Sequence, residues 1–238
     1  MVAVGWVSIT QRDLLFVRDA RPAPLSGFWL TTRDNTRLWI DRLNPGQSNA
    51  LLYFPGNTAS DWDDPRRFAR LLPHHTIYFM RYRGYAGSEG MPSQERLYAD
   101  ANVLFDWVQK DHKVIDILGR SLGTGIAIHV AAQRRVERLV LTTPYDSIAL
   151  SAKKAYPWLP VSLLLKDPFP SVKFAPDIQA KTEVILVKND QKIPYKSSQN
   201  LINTFPRTPK IITLEGTTHS AIVRHPRYLK TIVEFLGK

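Results

Sequence analysis

An α/β architecture, with a mostly parallel sheet of eight strands covered by helices on both faces, is what this sequence predicts, and three observations predict it. Short apolar runs rich in β-branched and aromatic residues recur along the chain. From the third run onward, segments of helical periodicity separate them. One of the most apolar runs, Val114 to Leu118, passes through a glycine-flanked turn into a helix of small residues. Strands alternating with helices bury both faces of a parallel sheet, which accounts for strands that read as unbroken apolar stretches.

The strands are expected at Phe28 to Thr32, Arg37 to Leu43, Ala50 to Phe54, Thr76 to Arg81, Val114 to Leu118, Arg138 to Thr142, Glu183 to Lys188 and Lys210 to Leu214. The first two flank Asp34-Asn35, a turn pair, and so form an antiparallel hairpin. The clearest helix runs from Ser93 to about Asp111, because Leu97, Ala101, Leu104, Phe105 and Val108 fall on one face and Ser93 is a natural N-cap. Further helices are expected near Asp61 to Leu72, Leu122 to Arg135, Pro194 to Phe205 and Ala221 to Leu236. The stretch from 144 to 176 breaks the alternation with Pro144, Pro157, Pro160, Pro168, Pro170 and Pro176, and reads as a cap inserted into one domain spanning 1–238.

At 238 residues with 44% hydrophobic and 22% charged residues, the chain can bury a large core, which excludes disorder. It has no cysteine, so disulfides, thiolate metal sites and a cysteine nucleophile are excluded. The formal charge of +11 suits an anionic membrane surface or a negatively charged substrate. The basic residues are scattered, however, with no zinc-finger or RNA-binding signature, and no nucleic-acid partner is expected. The N-terminus lacks the basic start and the length of a signal or membrane-spanning helix, so a cytoplasmic location is expected for the chain as it stands.

Ser121 sits in Gly119-Arg120-Ser121-Leu122-Gly123, between the strand at 114–118 and the helix that follows. A serine hydroxyl is a poor nucleophile, and presenting it on a tight strand-to-helix turn exposes its oxygen at the sheet edge. A base and an orienting acid must then come from later in the chain. His219, in the polar loop after the last strand, is the better base, because His225 lies about six residues into the expected final helix, beside Pro226. Asp190 lies just past the strand that follows the cap, a better position than Asp167 or Asp177 within or beside it. Acyl transfer also needs two backbone N–H donors for the developing oxyanion, expected at Leu122 and, from the loop after the third strand, Asn57. Trp158, Leu159, Leu163 and Leu164 are candidates for an apolar substrate pocket in the cap, though they could equally cover the sheet.

These motifs, together with Tyr82-Arg83-Gly84-Tyr85-Ala86-Gly87-Ser88-Glu89-Gly90 and Leu97-Tyr98-Ala99-Asp100-Ala101, resemble the α/β-hydrolase superfamily, and specifically its ABHD13-like and ABHD17-like hydrolases. The resemblance covers about residues 12–235. It implies a serine esterase or thioesterase acting on acyl, lipid-like substrates, with neither metal nor organic cofactor. A serine peptidase of the same fold, or a binding protein without turnover, would be built on the same framework. The chain departs from the resemblance at Pro55-Gly56 and at Lys188-Asn189, where His-Gly pairs are usual. Gln11 to Val17 resembles the stretch that follows a membrane anchor in many relatives, which makes an anchor upstream of this chain an alternative expectation.

Overall fold

The computed structural model describes residues 11–13, 15–18, 26–57, 64–155 and 165–237. Eight strands form one sheet: β1 (Gly27–Thr31), β2 (Arg37–Leu43), β3 (Asn49–Phe54), β4 (His75–Met80), β5 (Val114–Arg120), β6 (Arg138–Thr142), β7 (Lys181–Val187) and β8 (Lys210–Leu214). Their spatial order is β1-β2-β4-β3-β5-β6-β7-β8. The β1–β2 and β2–β4 pairs are antiparallel and all others parallel. β5, which delivers Ser121, therefore lies inside the sheet between β3 and β6.

Sequence alternation sets the two faces, because successive strand residues point to opposite sides. In β3, Ala50, Leu52 and Phe54 enter one apolar cluster and Leu51 and Tyr53 the other. On the first face lie α2 (Gln94–Val108) and α3 (Leu122–Gln133). On the second lie α1 (Arg66–Leu71) and α7 (Pro226–Leu236). In α2 the Ser93 side chain caps the helix, accepting from the Arg96 N–H, and Leu97, Ala101, Leu104, Phe105 and Val108 are buried. Each of the large ones stabilises the fold by about 1.5–3 kcal/mol through burial. Leu104→Ala, a truncation at a fully buried position of this face, costs about 2–5 kcal/mol.

The segment between β6 and β7 carries α4 (Ile148–Ala155), α5 (Ser171–Phe174) and a 3₁₀ turn, Ala175–Asp177. α6 (Tyr195–Ile202) follows β7. No helix among the described residues is long and apolar enough to cross a membrane.

One expectation is corrected. The final helix does not run unbroken from Ala221: a 3₁₀ turn at Ile222–Arg224 ends at His225, whose backbone is extended (φ −64, ψ 131), and α7 begins at Pro226. The proline is the cause. It disfavours the helical conformation in the residue before it and suits the first position of a helix. His225 is thus the N-cap, with Nδ1 accepting from the Arg227 N–H at 3.2 Å, and not a residue within the helix.

Candidate active site

β5 ends one residue before Ser121, and α3 begins one residue after it. Ser121 has φ 48 and ψ −118, a left-handed conformation unfavourable for a residue with a Cβ. The surroundings hold it there. Its N–H donates to the Thr142 carbonyl of β6 at 2.9 Å, and its own carbonyl accepts from the Thr124 N–H and hydroxyl. The flanking glycines are required by close approach. A Cβ on Gly119 would lie 2.7 Å from the Ala127 Cβ, and one on Gly123 would lie 2.0 Å from the Phe54 carbonyl oxygen.

The three side chains singled out in the sequence meet at this turn. His219 Nε2 lies 2.9 Å from Ser121 Oγ, and Nδ1 of the same ring lies 2.8 Å from Asp190 Oδ2. Asp190 sits in the loop after β7, and its other oxygen accepts the N–H groups of Lys192 and Ile193 at 2.8 and 2.9 Å. Each carboxylate oxygen therefore has a separate task, one fixing the loop and the other the imidazole. Burial works to raise the Asp190 carboxyl, but the hydrogen bond and charge of His219 and the two backbone donors outweigh it and hold it below the usual carboxylate value. With Asp190 ionised, Nδ1 carries the ring proton and Nε2 is left to accept from the serine hydroxyl.

Both residues chosen as oxyanion donors line the same cavity of about 270 Å³ as Ser121 and His219. Leu122 is the first residue of α3, where a backbone N–H has no partner within the helix. Asn57 lies three residues beyond the end of β3. The remaining wall is mainly apolar, formed by Leu15, Val17, Tyr145, Ile148 and Ile193. The proposed pocket residues Trp158, Leu159, Leu163 and Leu164 lie outside the described residues.

Two rivals for the acid lie elsewhere. Asp167 receives the Arg12 guanidinium at 2.7 Å and the Gln94 N–H at 2.7 Å. Asp177 is an exposed residue of the 3₁₀ turn before β7. Sequence reasoning missed Arg120, which is buried, lines the cavity and donates to the His219 carbonyl at 3.4 Å. It also missed Leu15 and Val17 as cavity walls, since nothing in the stretch Gln11 to Val17 signals a partner about 100 residues away.

No protein-family model matches the chain. It is 29% identical over 229 residues to Uncharacterized protein Rv2307c of Mycobacterium tuberculosis, covering 88% of this chain and 80% of that one. It is 26% identical over 248 residues to lysophosphatidylserine lipase ABHD12 of Rattus norvegicus, covering 90% of this chain and 62% of that one. The α/β-hydrolase domain-containing protein aho-3 of Caenorhabditis elegans is also 26% identical, over 213 residues, 86% of this chain and 63% of that one. Among solved structures, the Pyrococcus furiosus esterase Pf2001 superposes with a TM-score of 0.74 at 17% identity, covering 92% of this chain and 98% of that one. The esterase EaEST from Exiguobacterium antarcticum gives 0.68 at 16%, covering 90% and 100%. None of these matches singles out the ABHD13-like or ABHD17-like hydrolases that the motifs resemble. The chain has the α/β-hydrolase fold, and in sequence it is similar to α/β-hydrolase domain proteins.

Proposed function

We propose that the protein is a serine esterase that cleaves esters of apolar acyl groups through an acyl-serine intermediate. The observation that carries this reading is the continuous hydrogen-bonded line from Asp190 through His219 to a strained Ser121 at a cavity with apolar walls. Ser121 Oγ attacks the ester carbonyl while its proton passes to His219 Nε2, and the imidazolium formed is stabilised by the Asp190 carboxylate. The oxyanion takes hydrogen bonds from the N–H groups of Leu122 and Asn57, each worth about 3–4 kcal/mol in the transition state. Collapse of the tetrahedral adduct expels the alcohol, which leaves with the proton from Nε2. Water, giving a proton to the same nitrogen, then attacks the acyl-serine and releases the acid.

Names of relatives and neighbours that include lipase and esterase favour an ester over an amide. The apolar wall favours an acyl chain as the group held, and thioesters carry the same acyl group. The test is a series of p-nitrophenyl esters of increasing chain length, run beside acyl-CoA thioesters and aminoacyl p-nitroanilides. Turnover of esters above that of anilides, abolished in Ser121→Ala, is the expected result. Turnover that persists in folded Ser121→Ala, or anilides hydrolysed faster than every ester, would overturn the reading.

A further inference from the structure

The second proposed oxyanion donor lies in the stretch Pro55-Gly56-Asn57 after β3, and Pro55 has no N–H with which to brace a turn. Side chains and backbone from two distant segments brace it instead. The Tyr82 hydroxyl donates to the Pro55 carbonyl at 2.7 Å. The Asn57 carboxamide is held at both ends: Oδ1 accepts from the Tyr85 hydroxyl at 2.6 Å and from the Val17 N–H at 3.0 Å, while Nδ2 donates to the Leu15 carbonyl at 2.5 Å. The Val17 N–H and the Leu15 carbonyl set the orientation of the amide, since exchanging its oxygen and nitrogen would turn an NH₂ group toward the N–H and an oxygen toward the carbonyl.

The N-terminal segment that makes two of these contacts is itself fastened to the core. Phe16 is 1% exposed and meets Phe169 edge-on at 6.4 Å. Arg12 pairs with Asp167, whose second oxygen receives the N-terminal N–H of α2. The Asn57 side chain therefore sits between the body of the fold and the loop whose backbone faces Ser121.

We propose that the Asn57 carboxamide is a positioning group for the oxyanion site. Tyr85 and residues 15–17 act through it to fix the direction of the Asn57 N–H. This inference rests on the serine esterase reading above. Its physical basis is that a fixed donor stabilises developing charge only where it points at the oxyanion, and that a displacement of about 1 Å costs on the order of 100-fold in rate.

The experiment compares wild type with Asn57→Ala, Asn57→Asp and Tyr85→Phe on one p-nitrophenyl ester, measuring kcat and KM separately. It adds inhibition by an alkyl trifluoromethyl ketone, which forms an oxyanion on the serine, and by the matching alkyl ether, which cannot. Asn57→Ala keeps the backbone N–H and loses all three hydrogen bonds of the carboxamide, so kcat should fall about 10- to 100-fold with KM within about threefold of wild type. Ketone affinity should fall by the same factor as kcat/KM while ether affinity holds. Asn57→Asp keeps the acceptor for Tyr85 and Val17 but sets an oxygen against the Leu15 carbonyl, and should show a loss of about tenfold or more. Tyr85→Phe should lose about three- to tenfold alone, and nothing further when added to Asn57→Ala.

Full activity in Asn57→Ala would overturn the positioning role, and full activity in Asn57→Asp would overturn the part assigned to the Leu15 carbonyl. Equal losses for ketone and ether would reduce the brace to a purely structural one and also overturn the proposal. The underlying reading fails differently: wild type itself would then turn over no ester.

Discussion

Two loops face each other across the candidate site, and they are held in place by different physics. The turn at Ser121 is shaped by backbone contact. Gly119 and Gly123 leave no room for a Cβ, and the strand and helix on either side supply its hydrogen bonds. The loop at Pro55-Gly56-Asn57 is shaped by side-chain hydrogen bonds from Tyr82, Tyr85 and a segment 40 residues upstream of Asn57. Steric requirements are absolute and local, so the first loop is written into five consecutive residues. Hydrogen bonds from remote partners can be replaced one at a time, so the second leaves little local trace and can be tuned without disturbing the nucleophile.

Substitutions separate these two kinds of control. The largest effect is expected at the line of three side chains. Ser121→Ala or His219→Ala should lower kcat by about 10⁴-fold or more, and Asp190→Asn by about 10⁴-fold through the wrong imidazole tautomer, measured on folded protein.

Next comes the anchor of the arm that carries the two tyrosines. Arg83, between them, is 3% exposed and binds Asp100 through two hydrogen bonds of 2.6 Å, with Asp34 and Thr36 on the same guanidinium. Arg83→Ala strands the fully buried Asp100 and should cost about 3–5 kcal/mol in denaturant unfolding. Gly123→Ala forces its new methyl against the Phe54 carbonyl and should cost about 1–3 kcal/mol, with activity lost beyond what stability explains because the same shift moves Ser121. A normal rate in that variant would mean that the turn tolerates movement and that the contrast between the two loops is overstated.

The smallest effect lies away from both loops. His129 stacks on Tyr98 with ring centroids 3.8 Å apart, and burial, with help from Arg134, pushes its imidazole down to about 4 from 6.5. Between those values the unfolded chain binds a proton that the folded chain refuses, so stability is lost as pH falls from about 6.5 to about 4. Unfolding midpoints at pH 7 and pH 4.5 should therefore differ less in His129→Phe than in wild type.

Much of this architecture was legible in the sequence. The short apolar run Ala50 to Phe54 reads as a strand buried on both faces, as observed, and the Gly-x-Ser-x-Gly turn between β5 and α3 places its serine by steric necessity. Asp190 and His219 could be chosen by their places after β7 and β8, and the structure brings them to Ser121. The break at His225 was readable from Pro226, which disfavours the helical conformation in the residue before it. The cavity wall at Leu15 and Val17, the brace on Asn57 and the contact of Arg120 with the His219 carbonyl were not legible. They depend on tertiary proximity between polar or apolar residues that no spacing rule links.

The most direct test of the central claim is covalent. Wild-type protein incubated with an alkyl fluorophosphonate should gain the mass of one phosphonyl group, mapped by peptide analysis to Ser121, and Ser121→Ala should gain none. A folded wild-type protein that remains unmodified, or an adduct on another serine, would contradict Ser121 as the nucleophile.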